Sequence, residues 1–328
     1  MDKLMSETEY TNSKVLNTGV VMDPIGDIKT YKDSTFAMLL EAQRRGHVLY
    51  YMEPGDLFAK DGRVFAAMQQ LEVRDNGSDW FSLIPIGNKP LDELDIVLMR
   101  RDPPFDMDYI YVTYMLELAE KAGTLVINRP QSLRDANEKF FINNFPQCCV
   151  PMIISNRSEL IREFVSQQGR CVVKPLDGMG GESIFQVNEG DMNLNVILET
   201  ITRHDSRAVM AQKYIDEISQ GDKRILVVNG EPVPYALARF AVEGDFRGNL
   251  AKGGSSKGVP LSERDLWICS QVAPELKKRG ILFAGLDVIG DWLSEVNVTS
   301  PTCIRELDKE FGLNIAGQLF DAAEAKLQ

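Results

Sequence analysis

The order of its apolar runs constrains this chain more than any other feature. Between residues 18 and 127 short strand-like runs alternate with helical patterns, and beyond Phe141 the alternation stops. Residues 18–22 form an apolar run that ends in Asp23-Pro24. A helical pattern follows, with Ser34 in the N-cap place ahead of Phe36, Leu39 and Leu40, and Gly46 where a C′ glycine belongs. Residues 47–52 read as the next strand. The same order returns with residues 95–99, a helix over 109–121 stopped by Gly123, and a strand over 124–127. Such alternation predicts a doubly wound parallel sheet from about residue 18 to 130. The less regular residues 56–90 are expected to form an inserted hairpin.

The second half has a different grammar. A helix is expected over 132–141, then strands over 171–174, 183–187 and 209–214. Residues 224–228 and 232–239 flank Asn229-Gly230, whose preference for positive φ marks a type I′ hairpin. A two-residue turn there pairs Arg224 with Tyr235 and leaves Arg239 beyond the register. Residues 240–259 hold five glycines and little apolar period, the pattern of a mobile lid. A helix over 262–279 ends at Gly280, and strands follow over 281–289 and 292–298. Strands grouped in this way predict antiparallel sheets with flanking helices, so α/β gives way to α+β.

Composition limits the partners. The 328 residues carry a formal net charge of −12 with no long Lys/Arg block, which disfavours nucleic acid and anionic membranes. No apolar run is long enough to span a bilayer, and residues 1–16 lack the apolar core of a secretory signal. They read as a flexible leader, and the chain as cytoplasmic. The five cysteines show no CxxC spacing, so neither a zinc site nor a disulfide framework is expected. His47 opens a strand and His204 sits in a polar stretch, contexts that suit structural or solvated roles better than catalysis.

Two groups of residues carry chemistry. Lys174 leaves an apolar run and enters Pro175-Leu176-Asp177-Gly178-Met179-Gly180-Gly181-Glu182-Ser183, a lysine and an amide-rich loop suited to phosphates. This is not a P-loop, because GK[ST] is missing, and Ser183 breaks GxGxxG. A strand follows the loop, so loop amides and Lys174 rather than a helix dipole would hold phosphate. Downstream, Glu295 and Asn297 share one face of a strand, and Asp287 lies on the strand before. A strict two-residue turn at Gly290-Asp291 pairs Asp287 with Ser294 and turns it away from Glu295. A shared metal site therefore requires a three-residue loop or a β-bulge. Otherwise these carboxylates form the wet face of an edge hairpin. Arg224 and Arg239 add guanidinium forks that match carboxylate or phosphate. Cys303 has no nearby histidine to lower its pKa and is expected to pack.

Lys139, Lys174-Pro-x-x-Gly-x-Gly-Gly, Asp287 and Glu295-x-Asn297 resemble the nucleotide and metal elements of the ATP-grasp superfamily. Longer strings narrow the match: Val21-Met22-Asp23-Pro24-Ile25, residues 99–106 (MRRDPPFD), residues 128–135 (NRPQSLRD), residues 247–251 (RGNLA) and residues 297–302 (NVTSPT). These resemble the bacterial-type glutathione synthetase family over nearly the whole chain beyond the leader. The resemblance implies a pre-ATP-grasp unit over 17–135 and an ATP-grasp unit over 136–328, divided into 136–215 and 216–328. It implies ligation of γ-glutamylcysteine to glycine through an acyl phosphate, with ATP as co-substrate and Mg²⁺, or Mn²⁺ in its place, as cofactor.

By the same resemblance Lys139, Lys174, Gly178, Gly180 and Gly181 hold phosphates. Gln212, Lys213 and Ile215 contact adenine, and Asp222 contacts ribose. Asp287, Glu295 and Asn297 hold metal. Arg224, Arg239 and Arg247 act on the dipeptide carboxylate, with Ser300 and Thr302 nearby. A homotetramer or homodimer is implied. The lid departs from the family pattern at Lys252 and at Ser255-Ser256-Lys257, where a small residue and an Arg-Gly pair are usual. The competitors are another ATP-grasp carboxylate–amine ligase, which residues 102–106 and 297–301 disfavour, and a non-catalytic nucleotide sensor, which would tolerate loss of the metal or arginine positions.

Overall fold

The computed structural model describes residues 15–101, 104–178, 183–240 and 255–328. The first sheet is built from β1 (Asn17–Val21), β2 (Val48–Met52), β3 (Leu57–Lys60), β4 (Arg63–Val73), β5 (Phe81–Pro90), β6 (Ile96–Met99) and β7 (Leu125–Ile127). Its order is β3-β4-β2-β1-β6-β7, with β5 also on β4. The pairs β1–β2, β1–β6 and β6–β7 are parallel. Residues 57–90 form an antiparallel extension on β2, where the inserted hairpin was expected. Crossover helices α1 (Ser34–Arg44) and α2 (Met107–Lys121) complete the doubly wound part. The N-cap of α1 is Asp33, whose carboxylate accepts from Phe36 N at 2.7 Å, rather than the expected Ser34. Ser34 is buried inside the first turn, and its Oγ accepts instead from Ile304 N.

The helix expected over 132–141 stops early, as α3 (Pro130–Asp135). Asn137 explains the stop: its Oδ1 accepts from Lys139 N and Phe140 N at 3.2 and 2.9 Å, an alternative to continued helix. A four-stranded antiparallel sheet follows, from β8 (Met152–Ser155), β9 (Arg170–Pro175), β10 (Phe185–Asn188) and β11 (Val209–Lys213), ordered β10-β9-β11-β8. Helices α4 (Ser158–Gln168) and α5 (Leu194–Ile201) pack on it through Ile161, Val165, Leu198 and Ile201.

The third sheet has order β14-β13-β12-β15-β16, all antiparallel, from β12 (Asp222–Val228), β13 (Glu231–Phe240), β14 (Ser255–Pro260), β15 (Phe283–Ile289) and β16 (Trp292–Asn297). Helix α6 (Glu263–Lys278) starts with a Ser262–Asp265 capping box and packs Ile268, Val272 and Leu276 against the sheet. One expectation changes here. The end of the supposed lid, residues 255–259, is strand β14, paired from Phe240↔Ser255 onward; residues 241–254, with Arg247 and Lys252, lie outside the described residues. Cys303 (φ 92°) then opens α7 (Ile304–Phe311), and α8 (Ile315–Glu324) follows. Both helices return to the first sheet, where Ile304, Leu319 and Phe320 share one core with Phe36, Leu39 and Val20.

Asn128 joins the first and third sheets. Its Nδ2 donates to Phe283 O (2.7 Å) and Val298 O (2.6 Å), and its Oδ1 accepts from Leu282 N (2.8 Å) and Phe283 N (2.9 Å). Burial makes each of these groups costly to leave unpaired, at about 1–3 kcal/mol apiece. Asn128→Ala is therefore expected to destabilise the fold by more than about 3 kcal/mol in urea unfolding; a change under about 1 kcal/mol would show that water replaces the amide.

Candidate active site

The acidic cluster forms, and a bulge forms it. The β15–β16 turn is the tight one, with Ile289 opposite Trp292 and Val288 opposite Leu293. The register then slips by one residue, so Asp287 faces Glu295 and Gly285 faces Asn297. Ser294 is the extra residue, and its Oγ donates to Asp287 O at 3.0 Å. Asp287, Glu295 and Asn297 thus share a face, with Asn297 Nδ2 3.3 Å from Asp287 Oδ2.

A second slip brings in the arginines. The β12–β13 hairpin keeps its Asn-Gly turn but shifts between Ile225 and Val227, so Arg224 faces Leu237 rather than Tyr235, and Arg239 faces Asp222. On its other edge Arg224 faces Asp287. Its Nε and Nη2 donate to the two Asp287 oxygens at 2.6 Å each. Arg239 Nη2 reaches Asp287 Oδ2 at 3.0 Å, while Arg239 also forks onto both oxygens of Asp222, with Nε to Oδ1 at 3.0 Å. Glycine at 285 makes room for this, because a Cβ there would stand 2.9 Å from Arg224 Cδ. Burial opposes ionisation of Asp287, but the two guanidiniums outweigh it and hold the carboxyl well below the usual range.

Two lysines approach, Lys174 from the second sheet and Lys139 from the turn after α3. Lys174 on β9 faces Met210 on β11, and Gln212 lies two residues further on the same face. Lys174 Nζ lies 3.5 Å from Glu295 Oε1. Lys139 lies 3.6 Å from the same oxygen, donates to Gly178 O at 2.7 Å and pairs with Glu138. The two lysines separate electrostatically. Burial lowers the pKa of Lys174, which has Glu295 to help and Lys139 to repel it. Burial also opposes the charge on Lys139, but Glu295 and Glu138 together raise its pKa. Two buried cations thus converge on Glu295, with Glu138 beside Lys139.

The remaining expected residues fall as follows. Gln212 is buried, and its Nε2 has no hydrogen-bond partner among the described residues, an orphan donor that suits an acceptor on an adenine ring. Lys213 is exposed and Ile215 buried beside it. Asp222 is held by Arg239. Ser300 Oγ donates to Arg100 O at 3.4 Å, and Thr302 lies 3.7 Å from the Cys303 thiol, on the segment that flanks Arg224 through Pro301. Gly180, Gly181 and Arg247 lie outside the described residues. Cys303 is buried with its pKa raised by burial, which agrees with packing; His47 is buried against Thr18 and His204 is exposed.

Glu138 is the residue that motif reading missed. It sits beside Lys139 with its carboxyl pushed up to about 7 by burial and by the nearby Glu295 charge. Only its adjacency to Lys139 could have pointed to it. As for metal, two carboxylates and an amide are hard oxygen donors, and Mg²⁺ characteristically takes one or two carboxylates and completes its shell with substrate phosphates. That donor set fits. No group of three or more His, Cys, Asp and Glu side chains arranged for a metal occurs among the described residues.

Comparisons with known proteins now decide the family. The model for the prokaryotic glutathione synthetase N-terminal domain matches residues 16–134, and that for the prokaryotic glutathione synthetase ATP-grasp domain matches residues 138–312. The glutathione synthetase of Pseudomonas aeruginosa is 57% identical over 309 residues, covering 94% of this chain and 98% of its own. The chain belongs to the prokaryotic glutathione synthetase family. The Escherichia coli O157:H7 glutathione synthetase is 52% identical, covering 96% of this chain and all of its own (100%). Among solved structures, D-cycloserine synthetase DcsG superposes with a TM-score of 0.67 at 14% identity, covering 95% of this chain and 100% of its own. D-alanyl-alanine synthetase A of Vibrio cholerae gives 0.60 at 14% identity, covering 96% and 99%. These two share the fold. An ATP-grasp family member is an ATP-dependent ligase, and ATP-grasp enzymes use ATP with divalent metal ions.

Removing Asp287 strands the buried Arg224 guanidinium and leaves Arg239 with Asp222 alone. Asp287→Ala is expected to cost about 3–5 kcal/mol in urea unfolding at neutral pH. The sign with pH follows from the depressed carboxyl: its contribution is complete above the unfolded value, 3.8, and is lost as pH falls through and below it. The gap between wild type and Asp287→Ala should therefore narrow in acid; a gap independent of pH would deny the ion pair.

Proposed function

We propose that this chain joins glycine to γ-glutamylcysteine with hydrolysis of ATP, giving glutathione, ADP and phosphate. The observation that carries it is the convergence of Arg224, Arg239, Asp287, Glu295, Lys139 and Lys174 on one cleft in a chain 57% identical to a glutathione synthetase. Another ATP-grasp carboxylate–amine ligase is not favoured, because D-cycloserine synthetase DcsG and D-alanyl-alanine synthetase A share the fold at only 14% identity.

The chemistry follows from the donor. A carboxylate is a poor acyl donor, so the cysteinyl carboxylate oxygen first takes the γ-phosphoryl group. The neutral glycine amine then attacks the acyl carbon of that acyl phosphate, and phosphate leaves. Lys139 and Lys174, with the amides of the Gly178–Gly181 loop, bind and orient the phosphates. Gln212, Lys213 and Ile215 seat the adenine, and Asp222 approaches the ribose. Arg224 and Arg239 grip the reacting carboxylate with Ser300 and Thr302 beside it; Arg247 joins them from residues 241–254, which keep water from the acyl phosphate. Asp287, Glu295 and Asn297 would hold the divalent ions, which we assign as Mg²⁺ with Mn²⁺ as a substitute. When bound, such ions offset the negative charge gathered on the transferring phosphoryl group.

We divide the chain, on the same reading, into units over 17–135 and 136–328, and infer a homotetramer or homodimer in the cytoplasm. Among the described residues no helix is long and apolar enough to cross a membrane.

ADP release should require both γ-glutamylcysteine and glycine, with glutathione as product; release with a D-alanine donor alone would overturn the substrate. Glu295→Ala should lose most turnover, on the order of 10²-fold or more, with an unchanged circular dichroism spectrum. Near-normal rates in that folded variant would refute its metal role.

A further inference from the structure

Both metal-side carboxylates are already engaged by cations, but in different ways. Glu295 meets Lys139 and Lys174 through one oxygen at 3.6 and 3.5 Å. These are loose contacts that a triphosphate can take over. Asp287 is held tightly. A carboxylate has about four lone-pair directions, two on each oxygen; Arg224 Nε takes one on Oδ1, while Arg224 Nη2, Arg239 Nη2 and Asn297 Nδ2 crowd Oδ2. A divalent cation drawing on either oxygen would stand beside two guanidinium charges.

The arginines cannot simply swing away. Arg239 is anchored by Asp222, and Arg224 lies across Gly285 with Pro301 at its side. Arg224 is buried and Arg239 partly so, and a buried charge without a partner is strongly unfavourable. What can replace Asp287 is another carboxylate, the group whose geometry matches a guanidinium fork. On the ligase reading, the donor dipeptide brings one.

We propose that Arg224 and Arg239 form an exchange switch: they keep Asp287 from a divalent cation until the donor's reacting carboxylate takes over their hydrogen bonds, so donor binding and metal binding are positively coupled. The proposal rests on the donor assignment above. Metal alone would leave Arg224 without a carboxylate and Arg239 with Asp222 alone, and donor alone would leave Asp287 without its guanidiniums. Together they satisfy every buried charge. Linkage makes the effect reciprocal, since whatever factor the donor adds to metal affinity the metal adds to donor affinity.

The test is titration calorimetry of the full-length protein with γ-glutamylcysteine, with and without Mn²⁺, and in parallel with γ-glutamylcysteamine. The second ligand keeps the thiol and lacks the reacting carboxylate, so thiol–metal contacts cancel. Mn²⁺ should tighten γ-glutamylcysteine at least about fivefold, the lower end of usual couplings, and leave γ-glutamylcysteamine unchanged. Equal tightening of both ligands, or of neither, overturns the switch while the ligase reading stands. Failure of γ-glutamylcysteine to bind at all overturns the donor assignment and the switch with it. Arg224→Met should bind Mn²⁺ more tightly than wild type in the absence of donor, read from the free-ion signal in electron paramagnetic resonance. Unchanged affinity in a variant with native circular dichroism contradicts the proposal; should that variant not fold, the two-ligand comparison on wild type decides.

Discussion

The site depends on burying opposite charges in equal number. Asp222, Asp287, Glu138 and Glu295 are matched by Arg224, Arg239, Lys139 and Lys174, each carboxylate within salt-bridge distance of at least one cation. Taking any one of these ions from water costs several kcal/mol after relaxation, so the cluster exists only as a set. This requirement links two sheets. The lysines and Glu138 come from β9 and the turn after α3, the arginines and the other three carboxylates from β12, β13, β15 and β16, and the charge balance closes only where these elements meet.

The bulges do for the third sheet what side chains cannot do alone. In regular register, alternation would place Asp287 and Glu295 on opposite faces and leave Arg239 beyond the hairpin's reach. A one-residue slip on β16 brings Asp287 and Glu295 to a single face, and a two-residue slip on the β12–β13 hairpin slides Arg239 opposite Asp222. Such irregularities re-aim side chains at functional positions. Here they also fix which carboxylate is held firmly and which loosely.

The first sheet contributes framework. Asn128, Arg100 and the Ser300–Cys303 segment fasten it to the third sheet, with Arg100 Nη2 donating to Pro301 O at 2.9 Å. Helices α7 and α8 share its core. Several strings that mark the family therefore carry fastening residues as well as ligand-facing ones: residues 99–106 contain Arg100, and residues 128–135 begin with Asn128. The segment that follows β16 does both, flanking Arg224 while its end is tied to Ser34.

Local pattern determined much of this protein. Alternation of apolar runs announced the parallel sheet, Asn229-Gly230 announced the hairpin turn, and residue types at Lys174, Asp287, Glu295 and Asn297 singled out side chains that the fold brings together. These are legible because turn geometry and side-chain period act over a few residues. The tertiary structure decided the rest. Whether Asp287 met Glu295, whether Arg239 met Asp222, that Glu138 belonged to the site, and that residues 255–259 formed a strand all depended on register and burial. Register is set by what the other face of each strand must bury and by partners distant in the chain, and no window of local sequence holds that information.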